Sequence, residues 1–373
     1  MCVGMLGRRR VLGGVTVAAV AALAVSGGAA GCSAHDKVAR RSTSTTSIRT
    51  TSTTSTTTST TTTTTTAPLP PVAFAPLTAL GVDAAGAALL GRPPLAIKLD
   101  NAVEALPHAG LERADVVFEI KVEGISRLMA VFHSTDAASV GPVRSARLSD
   151  PPILAMFGRP LFGWSGANDT VTADVTASSW IRNVDWVSLP GAYRRRGPHR
   201  APHNLYTTTS ELFARSSADQ PAPSPIFEFL GAGQAQPGAA PAAGVNLRVG
   251  DTPSTWVWSG SGWLRWEYGR RHTTEDAGQV VAANVVILET TYAGEPKVPT
   301  AGTVGSGHAA VFSNGAVVEG TWIRSAITDR FALFAADGAP IRLAPGRTWI
   351  ELTPGWNAGL IGADRAAELL ASP

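Results

Sequence analysis

Short apolar or alternating stretches predict strands in the first folded part of the chain. Residues 95–99 form an apolar run with one lysine, and in 116–122 every even-numbered position is apolar. Residues 128–132 follow after a turn at Gly124. Runs of this length and pattern, separated by a glycine turn, are typical of two strands that pair as a hairpin.

Two helix starts are marked in the same part of the chain. Asp150 precedes two prolines, and this order suits an aspartate N-cap followed by a first turn pre-set by proline. Thr208 and Glu211 are three residues apart and fit a capping box. Strands and helices together predict a mixed α/β N-terminal domain over residues 76–215.

The second folded part, residues 245–360, is predicted to be mainly β, because short strand patterns recur between turns such as Asn314-Gly315. The predicted strands are 256–258, 263–268, 280–288, 309–312, 320–324, 331–334 and 348–352. The Pro/Ala/Gly-rich segment 216–244 separates the two parts, and we expect it to bury no backbone in a core and to be cut by proteases. Residues 361–373 are expected to be a C-terminal tail. The fold class is α+β.

The N-terminus has the order of a lipoprotein signal peptide. Three arginines at 8–10 precede an apolar stretch at 11–25, and small residues lead to Cys32. We therefore expect residues 1–31 to be removed and Cys32 to be acylated, with the protein anchored by lipid on the extracytoplasmic face of the cell membrane. The alternatives are an uncleaved membrane anchor or a plain secretory signal, and the arginines leave both the general secretory and the twin-arginine export routes open.

A stalk is predicted to follow over residues 32–75. From 42 to 66 every residue except Ile48 and Arg49 is Ser or Thr, and such a stretch has almost no side chain to bury. We expect it to be disordered and solvated, and it is a candidate for O-glycosylation. The competing interpretation is aggregation through the strand propensity of threonine.

Removal of the signal peptide also changes the charge. The formal net charge of +3 comes from the arginines at 8–10, so the mature chain has as many basic as acidic residues and no electrostatic footprint for nucleic acid. Cys2 leaves with the signal peptide and Cys32 is acylated. Neither a disulfide nor a thiolate metal site is then expected.

Several blocks of the sequence resemble those of the YerB-type lipoprotein family. They are LDN at 99–101, ADVVFE at 114–119, GPVRSAR at 141–147, RAPHNLY at 200–206, FSNG at 312–315, GTWIR at 320–324 and GRTWI at 346–350. The resemblance covers nearly all of the chain after residue 76. It implies a bacterial envelope lipoprotein of α+β type with two domains of unknown function, and it implies no reaction, ligand or catalytic residue.

Two carboxylates stand out on the predicted strand 116–122. Its apolar residues face one way, which places Glu119 and Glu123 together on the other face. A turn of residues 124–126 sets Glu123 opposite Arg127, whereas a two-residue turn puts Arg127 on the apolar face. The two carboxylates are either a functional acid/base pair or part of a solvated face with one cross-strand ion pair.

Arg144 and Arg147 are three residues apart, just before the predicted helix start. Guanidinium forks beside a helix N-terminus can bind a carboxylate or a phosphate. The alternative is that they pair with internal acids such as Asp100, Asp115 or Glu119 and brace the fold.

His203 and Asn204 form the second candidate wall of a pocket, with His203 as a possible general base and Asn204 as a ligand contact. A histidine in a proline-rich turn also has ordinary structural roles. His199 lies four residues earlier, but the intervening prolines oppose the helix that would align the two. No metal site and no cofactor are predicted.

Tryptophans are concentrated in one predicted hairpin. Trp256 and Trp258 share a face, and either Trp263 or Trp266 joins them from the partner strand. The group is either a platform for sugars or the core of a small sheet.

Three functional classes remain, and the sequence alone does not decide whether the chain is an enzyme. The preferred hypothesis is a binding or accessory module for an anionic envelope ligand or an exported protein partner. The second is a cell-envelope hydrolase or transferase that uses Glu119 or Glu123 with His203, and the third is a structural spacer. We expect Arg144, Arg147 and His203 to line one anion-accepting cleft with the two carboxylates nearby.

Overall fold

The computed structural model describes residues 70–231 and 233–372; the predicted signal peptide, Cys32 and the Ser/Thr run at 42–66 lie outside these ranges. The strands of the first part are β1 (Ala73–Phe74), β2 (Gly81–Val82), β3 (Leu95–Leu99), β4 (Val116–Lys121), β5 (Ser126–Phe132), β6 (Leu161–Gly163), β7 (Arg182–Asn183), β8 (Tyr193–Arg195) and β9 (Leu205–Thr207). Those of the second part are β10 (Ala240–Pro241), β11 (Gly244–Val249), β12 (Thr252–Trp258), β13 (Trp263–Glu267), β14 (Arg270–Arg271), β15 (Thr273–Thr274), β16 (Gly278–Gln279), β17 (Val281–Ala282), β18 (Asn284–Ala293), β19 (Thr300–Gly302), β20 (Gly305–Ser313), β21 (Ala316–Arg324), β22 (Ala332–Ala335), β23 (Thr348–Pro354) and β24 (Gly359–Ile361). The helices are α1 (Ala84–Leu89), α2 (Asp150–Leu154), α3 (Asp169–Ala177), α4 (Thr209–Phe213) and α5 (Ala363–Ala371).

A large mixed sheet runs through both parts of the chain, in the order β10-β21-β20-β18-β23-β4-β5-β3-β6-β7. The central strands β18, β23 and β4 are parallel to one another. Because β23 comes from the second part and β4 from the first, main-chain hydrogen bonds join the two parts at the middle of the sheet. The α+β fold class is confirmed.

Apolar residues cover both faces of this sheet. On β4, Phe118 and Ile120 pack into one core, whereas Val117 packs into the other. The second core also contains Trp256 and Trp263, which come from a smaller sheet with the order β14-β13-β12-β11-β24. Burial on both faces explains why the parallel central strands are so rich in apolar residues.

The register of the β4–β5 hairpin follows from its turn. Ile120 pairs with Arg127, and the amide of Val122 donates to the carbonyl of Ile125 at 2.9 Å. Glu123 and Gly124 are therefore the two central turn residues, and Arg127 lies on the apolar face. Of the two registers that the sequence left open, the structure has the one in which Glu123 does not oppose Arg127.

Three local expectations are corrected. Ser149, not Asp150, is the N-cap of α2, and Asp150 is the first helical residue. Residues 363–371 of the expected tail form α5, whose Ala366 packs against the smaller sheet. Segment 216–244 is also not free of core residues, because Ile226 and Phe227 are buried there. The Thr208 N-cap is confirmed, since its side chain accepts from the amide of Glu211.

Among residues 70–231 and 233–372, no helix combines the length and the apolar character needed to cross a membrane.

Candidate functional site

Asp100 is the centre of the first group of functional side chains. It follows β3 directly, and its buried carboxylate lies 3.0 Å from Nε of Arg144 and 2.7 Å from Nδ1 of His203. Main-chain hydrogen bonds hold Arg144 in place: its amide donates to the carbonyl of Lys98, and the amide of Asp100 donates to the carbonyl of Pro142. Three sequence blocks far apart in the chain thus meet at one carboxylate, and we call Asp100, Arg144 and His203 the Asp100 site.

Several hydrogen-bonding groups of the Asp100 site have no partner in the described part of the chain. The side chain of Arg144 is 23% exposed, and that of His203 is 22% exposed. Within residues 70–231 and 233–372, the Nη groups of Arg144 and Nε2 of His203 make no hydrogen bond to protein. The guanidinium fork can bind an anionic oxygen from solvent, and Nε2 of a neutral His203 can accept a hydrogen bond from a ligand group, because its Nδ1 proton is donated to Asp100.

Arg147 belongs to a second group, which braces the loop before α2. Its guanidinium hydrogen-bonds Glu123 and the carbonyl of Ala146, and its amide donates to the carboxylate of Asp150 at 2.7 Å. Asp150 also binds Lys98 at 2.6 Å, and both of these side chains are fully buried. Burial lowers the pKa of Lys98, and the neighbouring Asp150 opposes this effect.

Glu119 lies in a third group, on the other face of the sheet. Its carboxylate accepts hydrogen bonds from Ser126 and from Arg265, both at 2.6 Å, and it is fully buried. Asn101 donates to Ser126 at 2.8 Å and to Glu267 at 2.5 Å. Because Asn101 follows Asp100 in the chain, neighbouring residues serve the first and third groups.

The third group contains more carboxylates than cations. Glu119, Glu267 and Glu351 surround Arg265, and Glu351 also accepts from the indole of Trp256 at 2.8 Å. We call these five residues with Asn101 and Ser126 the buried cluster. Burial raises the pKa of Glu267 to about 7 and that of Glu351 well above its ordinary range, so protonation relieves part of the excess negative charge.

Two histidines join the buried cluster to the Asp100 site. Nε2 of His108 lies 2.5 Å from the carbonyl oxygen of Asp100, which only accepts, so this nitrogen carries the proton. Nδ1 of His108 then accepts from Nε2 of His272 at 2.9 Å, and Nδ1 of His272 accepts from Arg265. Burial lowers the pKa of His108 to about 4 and that of His272 well below its ordinary value, which agrees with two neutral rings.

The structure therefore distributes the predicted site residues over three groups instead of one cleft. Arg144 and His203 share Asp100, Arg147 and Glu123 bind each other, and Glu119 is enclosed with Arg265. Asn204 lies beside His203 in the chain but accepts from Arg195 and donates to the carbonyl of His199. Glu119 and Glu123 were expected to lie together on one face of the strand. They do not, because β4 ends at Lys121 and Glu123 belongs to the turn.

Sequence reasoning missed Arg265, Glu267 and Glu351 as members of a charged group. The only signal was the alternation Trp-Leu-Arg-Trp-Glu at 263–267, which places Arg265 on the side of Trp263. Trp263 faces Trp258 across the β12–β13 pair, whereas Trp266 lies opposite Thr255. Trp256 and Trp263 are fully buried, so the core interpretation of the tryptophans is confirmed.

Within residues 70–231 and 233–372, no group of three or more His, Cys, Asp or Glu side chains is placed to hold a metal ion.

Comparisons with known proteins agree with the architecture. The sequence profile of the protein of unknown function (DUF3048) N-terminal domain matches residues 78–222, and that of the DUF3048 C-terminal domain matches residues 245–350. "Putative lipoprotein YerB" of Bacillus subtilis (strain 168) is 32% identical over 150 residues, which are 39% of this chain and 43% of that protein. The match thus spans less than half of the relative's length.

A solved structure extends the likeness beyond the aligned sequence. The crystal structure of YerB protein from Bacillus subtilis superposes with a TM-score of 0.67 and 23% identity, covering 78% of this chain and 100% of that chain. At this identity the likeness shows the fold alone.

Proposed function

Because the chain belongs to the DUF3048 family, in which one relative bears the name of a lipoprotein, we propose that it is an extracytoplasmic binding or accessory protein anchored to the cell membrane through acylated Cys32. Its ligand-binding part is the Asp100 site, where Arg144 and His203 contact an anionic group of an envelope ligand or an exported protein. The observation that carries this proposal is that one buried carboxylate contacts both side chains while the Nη donors of Arg144 and the free ring nitrogen of His203 stay open to solvent.

The arrangement suits reversible binding of a carboxylate or phosphate. Asp100 is 2% exposed, hydrogen-bonds the imidazole and lies within ion-pair distance of the guanidinium, which restrains both side chains and reduces the entropy lost when a ligand binds. It also offsets part of the positive charge, so the free site is stable without a ligand. The two Nη groups can then bind an oxyanion in the forked geometry that arginine favours.

The experiment that tests the site is an NMR titration of the full-length protein with inorganic phosphate and with acetate. We expect saturable shifts of the Arg144 and His203 side-chain signals, and loss of the His203 shift in Arg144→Ala. Arg215→Ala is the matched control, because Arg215 is an exposed arginine outside the Asp100 site. Equal responses in the parent and in Arg144→Ala would contradict the proposal.

Anchoring is tested separately by metabolic labelling with a fatty acid. We expect label on the parent protein and none on Cys32→Ser, which should accumulate with its signal peptide uncleaved. An unlabelled parent, or a Cys32→Ser variant that is processed and anchored in the same way, would refute the lipid anchor.

A hydrolase or transferase is the second candidate function, and the Asp100–His203 pair favours it. A carboxylate on Nδ1 leaves Nε2 as a base, which is the arrangement that orients catalytic histidines. Glu119 is a weaker candidate because both of its oxygens are bonded inside the protein. Hydrolysis of 4-nitrophenyl acetate that is lost in His203→Ala and kept in Glu123→Gln would support catalysis at His203; absence of turnover would exclude this ester chemistry.

A further inference from the structure

A cavity of about 660 Å³ lies where the parallel strands β4, β18 and β23 end. Its lining includes Lys121, Glu289, Tyr292, Ser306, Trp322 and Pro354. The carboxyl ends of parallel strands are a common position for ligand sites in open sheets, and the volume is within the usual range of such sites. The Asp100 site shares none of these lining residues.

Hydrogen bonds between strands hold the walls of this cavity in place. The hydroxyl of Tyr292 accepts from the amide of Lys121 at 3.1 Å and donates to the carbonyl of Leu352 at 2.9 Å, so it ties β4 to β23. The indole of Trp322 donates to the carbonyl of Glu289 at 2.8 Å. A Cβ on Gly307 would lie 2.6 Å from the indole nitrogen, so the glycine is needed for this close approach. The cavity is therefore a preformed feature of the sheet.

Two charged groups of the cavity have unused hydrogen-bonding capacity. The ammonium group of Lys121 lies 5.7 Å from the centre of the Tyr292 ring and, within the described residues, makes no ion pair or hydrogen bond. One oxygen of Glu289 accepts from the amide of Trp356 at 3.1 Å, and the other accepts no hydrogen bond from the described part of the chain. The exposed hydroxyl of Ser306 adds a neutral donor and acceptor.

We propose that this cavity binds a sugar that carries a carboxylate group. Lys121 binds the sugar carboxylate, and the free oxygen of Glu289 accepts from a sugar hydroxyl. A neutral sugar would leave the ammonium group without a partner, and a compact dianion would be repelled by Glu289. The site is independent of the anion-binding function proposed for Asp100.

The experiment is calorimetric titration of the full-length protein with glucuronate, digalacturonate, N-acetylmuramate and N-acetylneuraminate, with maltose as the neutral sugar. We expect at least one acidic sugar to bind and maltose not to bind. Lys121→Gln should weaken binding about 10- to 100-fold, because it removes a charge-assisted hydrogen bond. Lys297→Gln is the matched control, since Lys297 is exposed and does not line the cavity.

Two further variants keep the outcome decisive. Ser306→Tyr should block binding by filling the cavity without changing a charge, and it replaces Lys121→Gln if that variant does not fold. In Arg144→Ala, the binding event that is lost in Ser306→Tyr should persist, which separates this site from the carboxylate binding proposed for the Asp100 site. Failure of all four acidic sugars to bind, or equal affinity in the parent and Ser306→Tyr, would overturn the proposal.

Discussion

Asp100 and Asn101 are neighbours in the chain, yet they serve two groups with opposite properties. The buried cluster uses its carboxylates internally: Glu119 and Arg265 are fully buried and bound to each other. At the Asp100 site, one carboxylate contacts Arg144 and His203 but leaves the Nη groups of Arg144 and Nε2 of His203 in contact with solvent. Similar residue types therefore act as a brace in one place and as a candidate binding surface a few ångströms along the same chain.

What separates the two regions is unused hydrogen-bonding capacity that solvent can reach. The buried cluster does have unpartnered atoms, among them an oxygen of Glu267, but these atoms are closed off from solvent. Removing a member of the cluster should therefore destabilise the fold, whereas removing an outer member of the Asp100 site should mainly affect binding. The following predictions test this division.

The largest effect is expected for Arg265→Met. The change leaves Glu119 fully buried without its cation, and breaking a buried pair in this way costs about 3–5 kcal/mol of the free energy of unfolding. Urea denaturation measures the loss, with Arg215→Met as the control at an exposed arginine. Adding Glu119→Gln to Arg265→Met should recover part of the stability. A loss below about 1 kcal/mol would show that the cluster is not a brace.

Glu267→Gln should change how stability depends on pH. Burial raises the pKa of Glu267 from an ordinary 4.5 to about 7, so the unfolded chain releases this proton first as pH rises. The Glu267 contribution therefore lowers the free energy of unfolding of the parent as pH rises from about 4.5 to 7. The glutamine variant lacks this decrease. We expect Glu267→Gln to gain stability relative to the parent across that window.

His108 changes the pH dependence of stability in the direction opposite to Glu267, and both contributions are present in the same measurement. Its pKa is lowered to about 4, so it makes the folded state more stable as pH rises towards 6.5. In Glu267→Gln the contribution of His108 is no longer offset by that of Glu267. The free energy of unfolding should then rise more steeply with pH than in the parent. Urea denaturation at several pH values tests the expectation, and parallel pH profiles of the two proteins would contradict it.

Arg147→Ala should have an intermediate effect of about 1–2 kcal/mol, because the change removes a charged hydrogen bond whose acceptor can turn to water. That acceptor, Glu123, has a side chain that is 42% exposed. Anion binding at the Asp100 site should persist in the variant. A loss as large as that of Arg265→Met would assign Arg147 to an enclosed network.

Arg144→Ala should have the smallest effect on stability, about 1 kcal/mol or less, since His203 remains beside Asp100 and solvent can reach the position of the guanidinium. Thermal unfolding measures this change. A melting temperature that falls as far as that of Arg265→Met would make Arg144 a brace and would remove the distinction between the two regions.

The sequence predicted local elements better than the site. The strand 95–99 was predicted with its observed bounds, and Thr208 was identified as a cap, because both depend on residues close in the chain. The strand positions in the second part were also recognisable from their spacing. Alternation placed Trp256 and Trp258 on one face but left open whether Trp263 or Trp266 joins them, and the observed register selects Trp263.

The grouping of the charged residues depends on contacts between distant segments, and no local pattern records them. Alternation places Asp100 and Asn101 on different sides but does not say which of them meets Arg144 or Glu267. The separation of Glu119 from Glu123 depends on the register of the β4–β5 turn, and a shift of that register by one residue would reverse it. Candidate residues of the site were therefore predictable from the sequence, but their three-dimensional grouping was not.

The position of β23 also has a consequence for the order of assembly. This strand comes late in the sequence but lies between β18 and β4. Until residues 348–354 are in place, β4 has an open edge and the two halves of the sheet cannot close. Completion of the sheet therefore waits for its last strand in sequence order, so we expect the two parts of the chain to fold cooperatively and not one after the other.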